Sequence, residues 1–142
     1  MEKDVDIIAK TLIWDALSGL KYSYAPYSEF KVSAALLTSS GKVYTGCNIE
    51  NAAYPATVCA ERTAIFKAVS EGETKFESIA IVGGVNGLVK DYCAPCGVCR
   101  QVMREFCEAE FRIILTDSSG LIKECTLEEL LPLSFGPENV AE

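Results

Sequence analysis

Two short cysteine segments place the strongest constraint on how this chain can fold. The first is Cys59-Ala60-Glu61-Arg62, and the second is Pro95-Cys96-Gly97-Val98-Cys99-Arg100. Three thiolates from these segments could hold one zinc ion, which requires the fold to bring the segments together. A closed structural zinc site uses four protein ligands, whereas a catalytic site uses three and leaves the fourth position to water. Because Glu61 can supply the acid/base group that such a water needs, the pattern predicts a catalytic site.

A further cysteine, Cys93, keeps a structural alternative open. Cys93, Cys96 and Cys99 follow one another at three-residue spacing, and together with Cys59 they could form a closed four-cysteine zinc module without enzymatic activity. An iron-sulfur cluster is disfavoured, because the fourth cysteine and its trailing proline are missing after Cys99. The catalytic interpretation predicts one zinc ion per chain, held by Cys59, Cys96 and Cys99 and not by Cys93.

The charge of such a site requires a nearby cation. Three thiolates on Zn²⁺ leave a net negative charge, which would weaken the ability of the metal to acidify water. Both cysteine segments are predicted to begin helices, whose positive N-terminal ends stabilise thiolates. Arg62 stands three residues after Cys59, hence on the same helix face, and could donate hydrogen bonds to the ligand sulfurs.

Length, hydropathy and cysteine count bound the class of protein. With 142 residues, 49% of them hydrophobic, the chain is long enough for one ordinary domain, which we place at residues 1–142. No stretch approaches the roughly 20 apolar residues of a membrane-spanning helix, and the N-terminus is unlike a signal sequence, so a cytoplasmic location is expected. Seven cysteines without a secretory signal are interpreted as reduced thiols and metal ligands.

The charge balance argues against a nucleic-acid partner. The formal net charge is −7, histidine is absent, and the basic residues are scattered along the chain. A polyphosphate groove requires clustered lysine and arginine side chains. A small neutral substrate is therefore favoured over a nucleotide or a polynucleotide.

Hydrophobic periodicity predicts an initial helix and hairpin, followed by strands that alternate with helices. A strand hairpin followed by such an alternation indicates a mixed sheet between helices, so the predicted fold is an α/β three-layer α-β-α sandwich. The predicted elements are a helix at 5–20, hairpin strands at 31–37 and 42–47, a helix at 59–71, a strand at 79–83, a helix beginning at 96, a strand at 112–116 and a short helix at 127–131.

Two further segments identify a family resemblance. Gly46-Cys47-Asn48-Ile49-Glu50-Asn51-Ala52-Ala53-Tyr54-Pro55 and Leu131-Pro132-Leu133-Ser134-Phe135-Gly136-Pro137-Glu138, together with the cysteine segments, resemble the small homotetrameric zinc-dependent cytidine deaminases. The resemblance runs from about residue 12 to residue 138. The chain departs from the family pattern at Ser33, where glycine is usual, and at Ala94, where serine or threonine is common.

The resemblance implies an enzyme of pyrimidine salvage with one Zn²⁺ per subunit. The implied reaction is the hydrolytic deamination of cytidine and 2′-deoxycytidine to uridine and 2′-deoxyuridine, with release of ammonia. Glu61 would carry a proton to ring nitrogen 3 and then to the leaving amine. An alternative within the same fold is a deaminase of another aminopyrimidine nucleoside, such as blasticidin S.

The resemblance also implies a set of substrate contacts. Asn48 and Glu50, which in isolation would be interpreted as loop-capping residues, are expected to bind the ribose hydroxyls. Arg62 is expected to compensate the thiolate charge. A homotetramer with active sites shared between subunits is implied, with neither a nucleic acid nor a membrane as partner. The remaining implied substrate-binding residues are Phe30 beside the base, Ala60, and Tyr54 and Phe135 reaching into a neighbouring subunit.

Overall fold

A mixed five-stranded sheet forms the centre of the computed structural model, which describes residues 2–140, with side chains from residue 7 onward. The ends of the predicted domain 1–142 and the first side chains of the predicted helix 5–20 therefore lie outside the described residues. Within the described residues, four α-helices and five strands follow one another. They are α1 (Glu2–Gly19), β1 (Phe30–Thr38), β2 (Val43–Cys47), α2 (Ala60–Ser70), β3 (Phe76–Val85), α3 (Gly97–Phe106), β4 (Arg112–Thr116), β5 (Ile122–Thr126) and α4 (Leu127–Leu130).

The sheet has the strand order β2-β1-β3-β4-β5. Strand β1 pairs antiparallel with both β2 and β3, with Ala35 opposite Thr45 on one side and Ala80 on the other. Strands β3 and β4 run parallel, and α3 lies in the connection between them. Strand β5 closes the sheet as an antiparallel edge. The first hairpin is therefore joined to a parallel crossover, as the order of predicted elements indicated.

Helices cover both faces of the sheet, because successive strand residues point in opposite directions. Ala34 and Ile79 belong to the core that packs against α2 and α3. Ala35 and Ala80, their neighbours along the strands, belong to a second core that packs against Ala16 and other residues of α1. The three-layer α-β-α sandwich predicted from the sequence is thus confirmed.

Most predicted elements are present, with differences at their ends. Strand β3 is longer than the predicted 79–83. The helix predicted to begin at 96 begins at Gly97, and the short helix predicted at 127–131 spans Leu127–Leu130. The prediction missed β5 entirely. Its residues alternate poorly and are mostly half-exposed, because β5 is an edge strand whose pairing with β4 supplies its stability. No helix within the described residues has the length and apolar character needed to cross a bilayer.

A close contact between β2 and α2 sets the position of the first cysteine segment. A side chain on Gly46 would lie 2.5 Å from the backbone nitrogen of Ala64 and 2.8 Å from the carbonyl oxygen of Ala60. Glycine therefore allows the beginning of α2 to rest directly on the sheet. This contact explains one residue of the 46–55 motif, which the sequence analysis used only as a mark of resemblance.

Candidate active site

The three predicted zinc-binding cysteines converge where α2 and α3 begin. Cys59 is the N-cap residue of α2, and Cys96 is the N-cap residue of α3, where its sulfur accepts a hydrogen bond from the backbone nitrogen of Cys99 at 3.4 Å. The Cys96 sulfur lies 3.7 Å from that of Cys59 and 3.4 Å from that of Cys99. All three sulfur atoms lie within 4.8 Å of one another, an arrangement that could hold a metal ion.

The fourth nearby cysteine, Cys93, stands outside this cluster. Its sulfur is not a member of the group whose ligand atoms lie within 4.8 Å of one another. Instead it approaches strand β3, since a side chain on Gly83 would lie 2.9 Å from it. Burial, followed by the charges of Glu61 and Cys59, raises the pKa of the Cys93 thiol to about 12. A half-buried Cys93 thiol outside the three convergent sulfurs leaves an open three-ligand set, which suits a catalytic zinc site.

Electrostatics at the cluster favour thiolate at Cys59. A hydrogen bond from Cys99, with further help from the Arg62 guanidinium, lowers the pKa of the Cys59 thiol to about 5 despite partial burial. The same hydrogen bond and burial raise the pKa of Cys99. Arg62 donates to the Cys59 sulfur at 3.4 Å through a terminal nitrogen, whereas its Nε is buried without a partner. The predicted position of Arg62 beside a ligand sulfur is observed.

Glu61 lies next to the cluster and is almost completely shielded from solvent. The residue is only 4% exposed. Burial, reinforced by the charge of Cys59, raises the pKa of the Glu61 carboxyl to about 7. A carboxyl group that titrates near neutral pH can both accept and donate a proton under physiological conditions. The arrangement can therefore perform acid/base chemistry beside a bound metal.

A cavity of about 210 Å³ opens over these groups. Among the predicted residues it brings together Asn48, Cys59, Ala60, Glu61 and Cys96. As the first residue of α2, Ala60 has a backbone N–H without an acceptor inside its helix. Five further residues, for which the sequence predicted no substrate contact, line the cavity, and one of them, Cys93, is the possible fourth zinc ligand of the structural alternative. They are Val32, Thr57, Val58, Cys93 and Ala94.

The amide of Asn48 is largely occupied by contacts within the chain. Its Oδ1 accepts hydrogen bonds from the Ser23 hydroxyl and from the backbone nitrogen of Val32 at 2.9 Å. Its Nδ2 donates to the carbonyl oxygen of Phe30 at 2.8 Å. The amide can donate one further hydrogen bond through the second N–H. Asn48 therefore ties β1 to the 20–30 loop and can still contact a ligand in the cavity.

Glu50 performs a similar double task in the adjoining hollow of about 310 Å³. Its Oε1 accepts from the backbone nitrogens of Tyr27 at 2.9 Å and Ser28 at 3.1 Å, and its Oε2 accepts from the Ser28 hydroxyl. These bonds, led by that of the Ser28 hydroxyl, lower the pKa of the Glu50 carboxyl below its ordinary value. Thr57 lines both this hollow and the cavity over the cysteines, so the two spaces adjoin.

The three predicted aromatic contacts do not line the cavity over the cysteines. Phe30 is 40% exposed and borders a separate hollow of about 730 Å³. Tyr54 lines the Glu50 hollow and is 78% exposed. Phe135 is 62% exposed, and its carbonyl oxygen accepts a hydrogen bond from Gln101 of α3. Within one chain, the site has polar and metal-binding groups but lacks an aromatic cover.

The fold and the site together define a zinc-dependent deaminase. In agreement, a family sequence profile described as "Cytidine and deoxycytidylate deaminase zinc-binding region" matches residues 8–115. The chain therefore belongs to the cytidine and deoxycytidylate deaminase family. The family predicted from the motifs and its zinc-binding character are confirmed.

Close relatives span nearly the whole chain. The cytidine deaminase of Sporosarcina psychrophila is 47% identical over 130 residues, which cover 92% of this chain and 93% of the relative. The crystal structure of cytidine deaminase from Burkholderia pseudomallei is 44% identical and covers 89% of this chain and 98% of its own, with a TM-score of 0.81. That of Mycobacterium tuberculosis is 35% identical and covers 90% and 97%, with a TM-score of 0.76.

Proposed function

We propose that this chain, acting as one catalytic domain over residues 1–142, deaminates cytidine and 2′-deoxycytidine to uridine and 2′-deoxyuridine. Water adds its oxygen at carbon 4, the bond from carbon 4 to the exocyclic nitrogen breaks, and ammonia leaves. The observation that carries the proposal is the burial of Glu61 beside three convergent cysteine sulfurs. The names of the relatives supply the substrate class. Pyrimidine salvage in the cytoplasm is the setting that a nucleoside deaminase with seven free cysteines suits.

Cys59, Cys96 and Cys99 would hold the zinc ion, one per subunit. Bound zinc would supply a Lewis acid that makes water nucleophilic near neutral pH. The donor set fits this metal, because sulfur ligands favour zinc and three protein ligands leave one position open. Arg62 compensates the negative charge of the sulfurs through its hydrogen bond to Cys59.

Glu61 carries the protons of the reaction. As a carboxylate it accepts a proton from the attacking water and delivers it to ring nitrogen 3. It then takes the second proton from the hydroxyl group formed at carbon 4 and delivers it to the leaving amine. The burial that raises its pKa to about 7 balances these two tasks, since neither protonation state is strongly favoured at neutral pH. The Ala60 N–H would orient the base. The support for this role is that Ala60 lines the same cavity and that its N–H lacks a helical acceptor.

Asn48 and Glu50 bind the ribose hydroxyls. The support for this assignment is their position along adjoining spaces that share Thr57 as a wall. The free N–H of Asn48 and the remaining lone pairs of Glu50 offer one donor and one acceptor side. A carboxylate at the ribose end would also repel a 5′-phosphate, which favours the nucleoside over the nucleotide.

The aromatic contacts complete the site across a homotetramer. Phe30 flanks the base from its own subunit, whereas Tyr54 and Phe135 contribute to the pocket of a neighbour. The support for this assembly is the large exposure of both Tyr54 and Phe135 in a single chain, together with the family resemblance.

A substrate panel tests the proposed function. The purified protein is supplied with cytosine, cytidine, 2′-deoxycytidine, the 5′-monophosphate of cytidine and adenosine, and the ultraviolet change on deamination is followed. Turnover of the two cytosine nucleosides alone is expected, and a lack of activity on both nucleosides would refute the proposal.

Zinc is measured in parallel by atomic absorption. Cys96→Ser should lose the metal, whereas Cys93→Ser should retain it; zinc loss in Cys93→Ser would instead support the closed four-cysteine module.

A further inference from the structure

The C-terminal tail, residues 131–140, exposes apolar side chains although it is held against the body of the protein. Leu133 is fully exposed and Phe135 is 62% exposed. Apolar side chains in an ordered tail mark a surface that contacts something else. The proposed function assigns that contact to the substrate pocket of a neighbouring subunit, so the direction in which the tail presents Phe135 becomes important.

Two side chains of α3 bind this tail at and on both sides of Phe135. The Nε of Arg104 donates to the Ser134 hydroxyl at 2.8 Å, and a terminal nitrogen of Arg104 forms an ion pair with Glu138. Gln101, three residues earlier and on the same helix face, donates to the carbonyl oxygen of Phe135 at 2.9 Å. The backbone around Phe135 is therefore fixed while its ring stays free.

Gly136 lets the Arg104 guanidinium lie directly against the backbone of the tail. A side chain on Gly136 would meet this guanidinium group, which would have to shift to make room. The Arg104 side chain is 20% exposed, so most of it lies between α3 and the tail. Its planar fork donates in fixed directions and thus holds Ser134 and Glu138 at a defined separation, which a lysine ammonium cannot do.

The same helix carries two of the three candidate zinc ligands at its other end. Cys96 caps α3, Cys99 lies in its first turn, and Arg104 lies in its last turn. Because a helix of this length is rigid, α3 fixes the position of the tail relative to the candidate metal site of the same subunit.

We propose that Arg104 is a positioning residue, which holds the tail so that Phe135 is presented to the cytosine bound in a neighbouring subunit. This inference rests on the proposed function, because it acts through the substrate contact of Phe135. Arg104 lies outside both the lining of the cavity over the cysteines and the three-sulfur cluster. Losing it should therefore weaken substrate binding and leave the chemical step intact.

The test compares steady-state kinetics of purified variants with cytidine. Arg104→Ala should raise KM roughly tenfold, which corresponds to about 1.4 kcal/mol, while kcat and zinc content stay near those of the wild type. Gly136→Ala should change KM in the same direction, because the added methyl group displaces the guanidinium. Arg112→Gln is the matched control, since it removes an arginine ion pair with Glu124 at the far edge of the sheet and should leave KM unchanged.

A double variant separates positioning from a general loss of structure. In the Phe135→Ala background, Arg104→Ala should raise KM by less than about twofold more, because the group that Arg104 positions is already absent. An unchanged KM in Arg104→Ala, or a full additional increase in the double variant, would overturn this inference alone. Loss of kcat together with zinc would also overturn it. A wild-type protein without nucleoside turnover would overturn the proposed function and this inference together.

Discussion

At the scale of single residues, two glutamates of the candidate site have opposite electrostatic environments. Glu61 is buried, and desolvation raises its pKa to about 7. Glu50 accepts three hydrogen bonds from the 27–28 loop, which lower its pKa. Environment thus makes Glu61 suitable for proton transfer and keeps Glu50 ionised as a fixed acceptor.

Replacing Glu61 with glutamine removes proton transfer while preserving size. The Glu61→Gln variant should fold, retain zinc and lose kcat by about 10² to 10⁴. Steady-state kinetics and atomic absorption on the same preparation measure both quantities. If turnover were unchanged, Glu61 would not be the proton carrier.

The Ser28 hydroxyl is the largest cause of the lowered pKa of Glu50, so Ser28→Ala should raise that pKa toward its ordinary value. A depressed carboxyl pKa stabilises the fold above its unfolded value of 4.5, and this contribution is lost as the pH falls through the folded value. The free energy of unfolding of the variant should therefore fall less steeply than that of the wild type as the pH is lowered below 4.5. An NMR titration of the Glu50 carboxyl carbon measures the shift.

Ser23→Ala is the matched control for this titration, because Ser23 donates to Asn48 and not to Glu50. Its Glu50 pKa should equal that of the wild type. Equal Glu50 pKa values in Ser28→Ala and the wild type would contradict the prediction.

At the scale of elements, the contact between α1 and β1 contains a buried hydroxyl group without a hydrogen-bond partner. Ser33 of β1 is fully buried, and its hydroxyl oxygen has no hydrogen-bond partner. A side chain on Gly19, at the end of α1, would lie 2.5 Å from that oxygen, so glycine there makes room for the serine. The departure from the family pattern at Ser33 is thus accommodated by the facing helix.

Removing the unpaired hydroxyl should stabilise the protein. Ser33→Ala is expected to raise the free energy of unfolding by about 1 kcal/mol, since it relieves the desolvation of an unsatisfied polar group. Urea denaturation measures the change. Thr38→Val on the same strand is the control with the opposite sign, because the Thr38 hydroxyl exchanges hydrogen bonds with the backbone of Lys42. A less stable Ser33→Ala protein would show that the hydroxyl is satisfied in solution.

At the scale of the whole molecule, the candidate site within one chain has no aromatic cover among the described residues. No described aromatic residue lines the cavity over Cys59 and Glu61, and Phe135 is exposed in the tail beside α3. An exposed apolar side chain in an ordered segment is consistent with a contact to another subunit. The proposed tetramer supplies both a cover for the cavity and a partner for the tail.

Mixing two differently impaired variants tests the shared site. Phe135→Ala should raise the KM for cytidine by an amount equivalent to about 1–3 kcal/mol of lost aromatic contact. When Phe135→Ala subunits are co-assembled with Glu61→Gln subunits, sites with an intact Glu61 and a neighbour's intact Phe135 should regain low-KM turnover. Kinetics of verified mixed tetramers measure the recovery, and analytical ultracentrifugation verifies the assembly. A monomer, or mixed tetramers without recovery, would contradict the shared site.

Local patterns were sufficient to predict a zinc site and the fold class, whereas the deaminase reaction came from the family resemblance. Cysteines at helix starts and a glutamate two residues after Cys59 are short-range patterns, and the three-layer sandwich follows from hydrophobic periods that each strand and helix carries in its own residues. The residue roles at Glu61 and the three cysteines remain predictions, although the structure brings these residues together. Strand β5 escaped prediction because its stability comes from pairing with β4.

Long-range contacts decided what spacing could not. Cys93 and Cys96 have the same separation as Cys96 and Cys99, yet only the second pair joins the sulfur cluster, since the loop turns Cys93 toward β3. The pKa of Glu61 depends on burial by residues distant in the chain. The hydrogen bond and the ion pair of Arg104 connect α3 to the C-terminal tail, which is distant in the sequence. Distances, desolvation and shared hydrogen bonds arise only when the chain is packed, so the tertiary structure alone sets them.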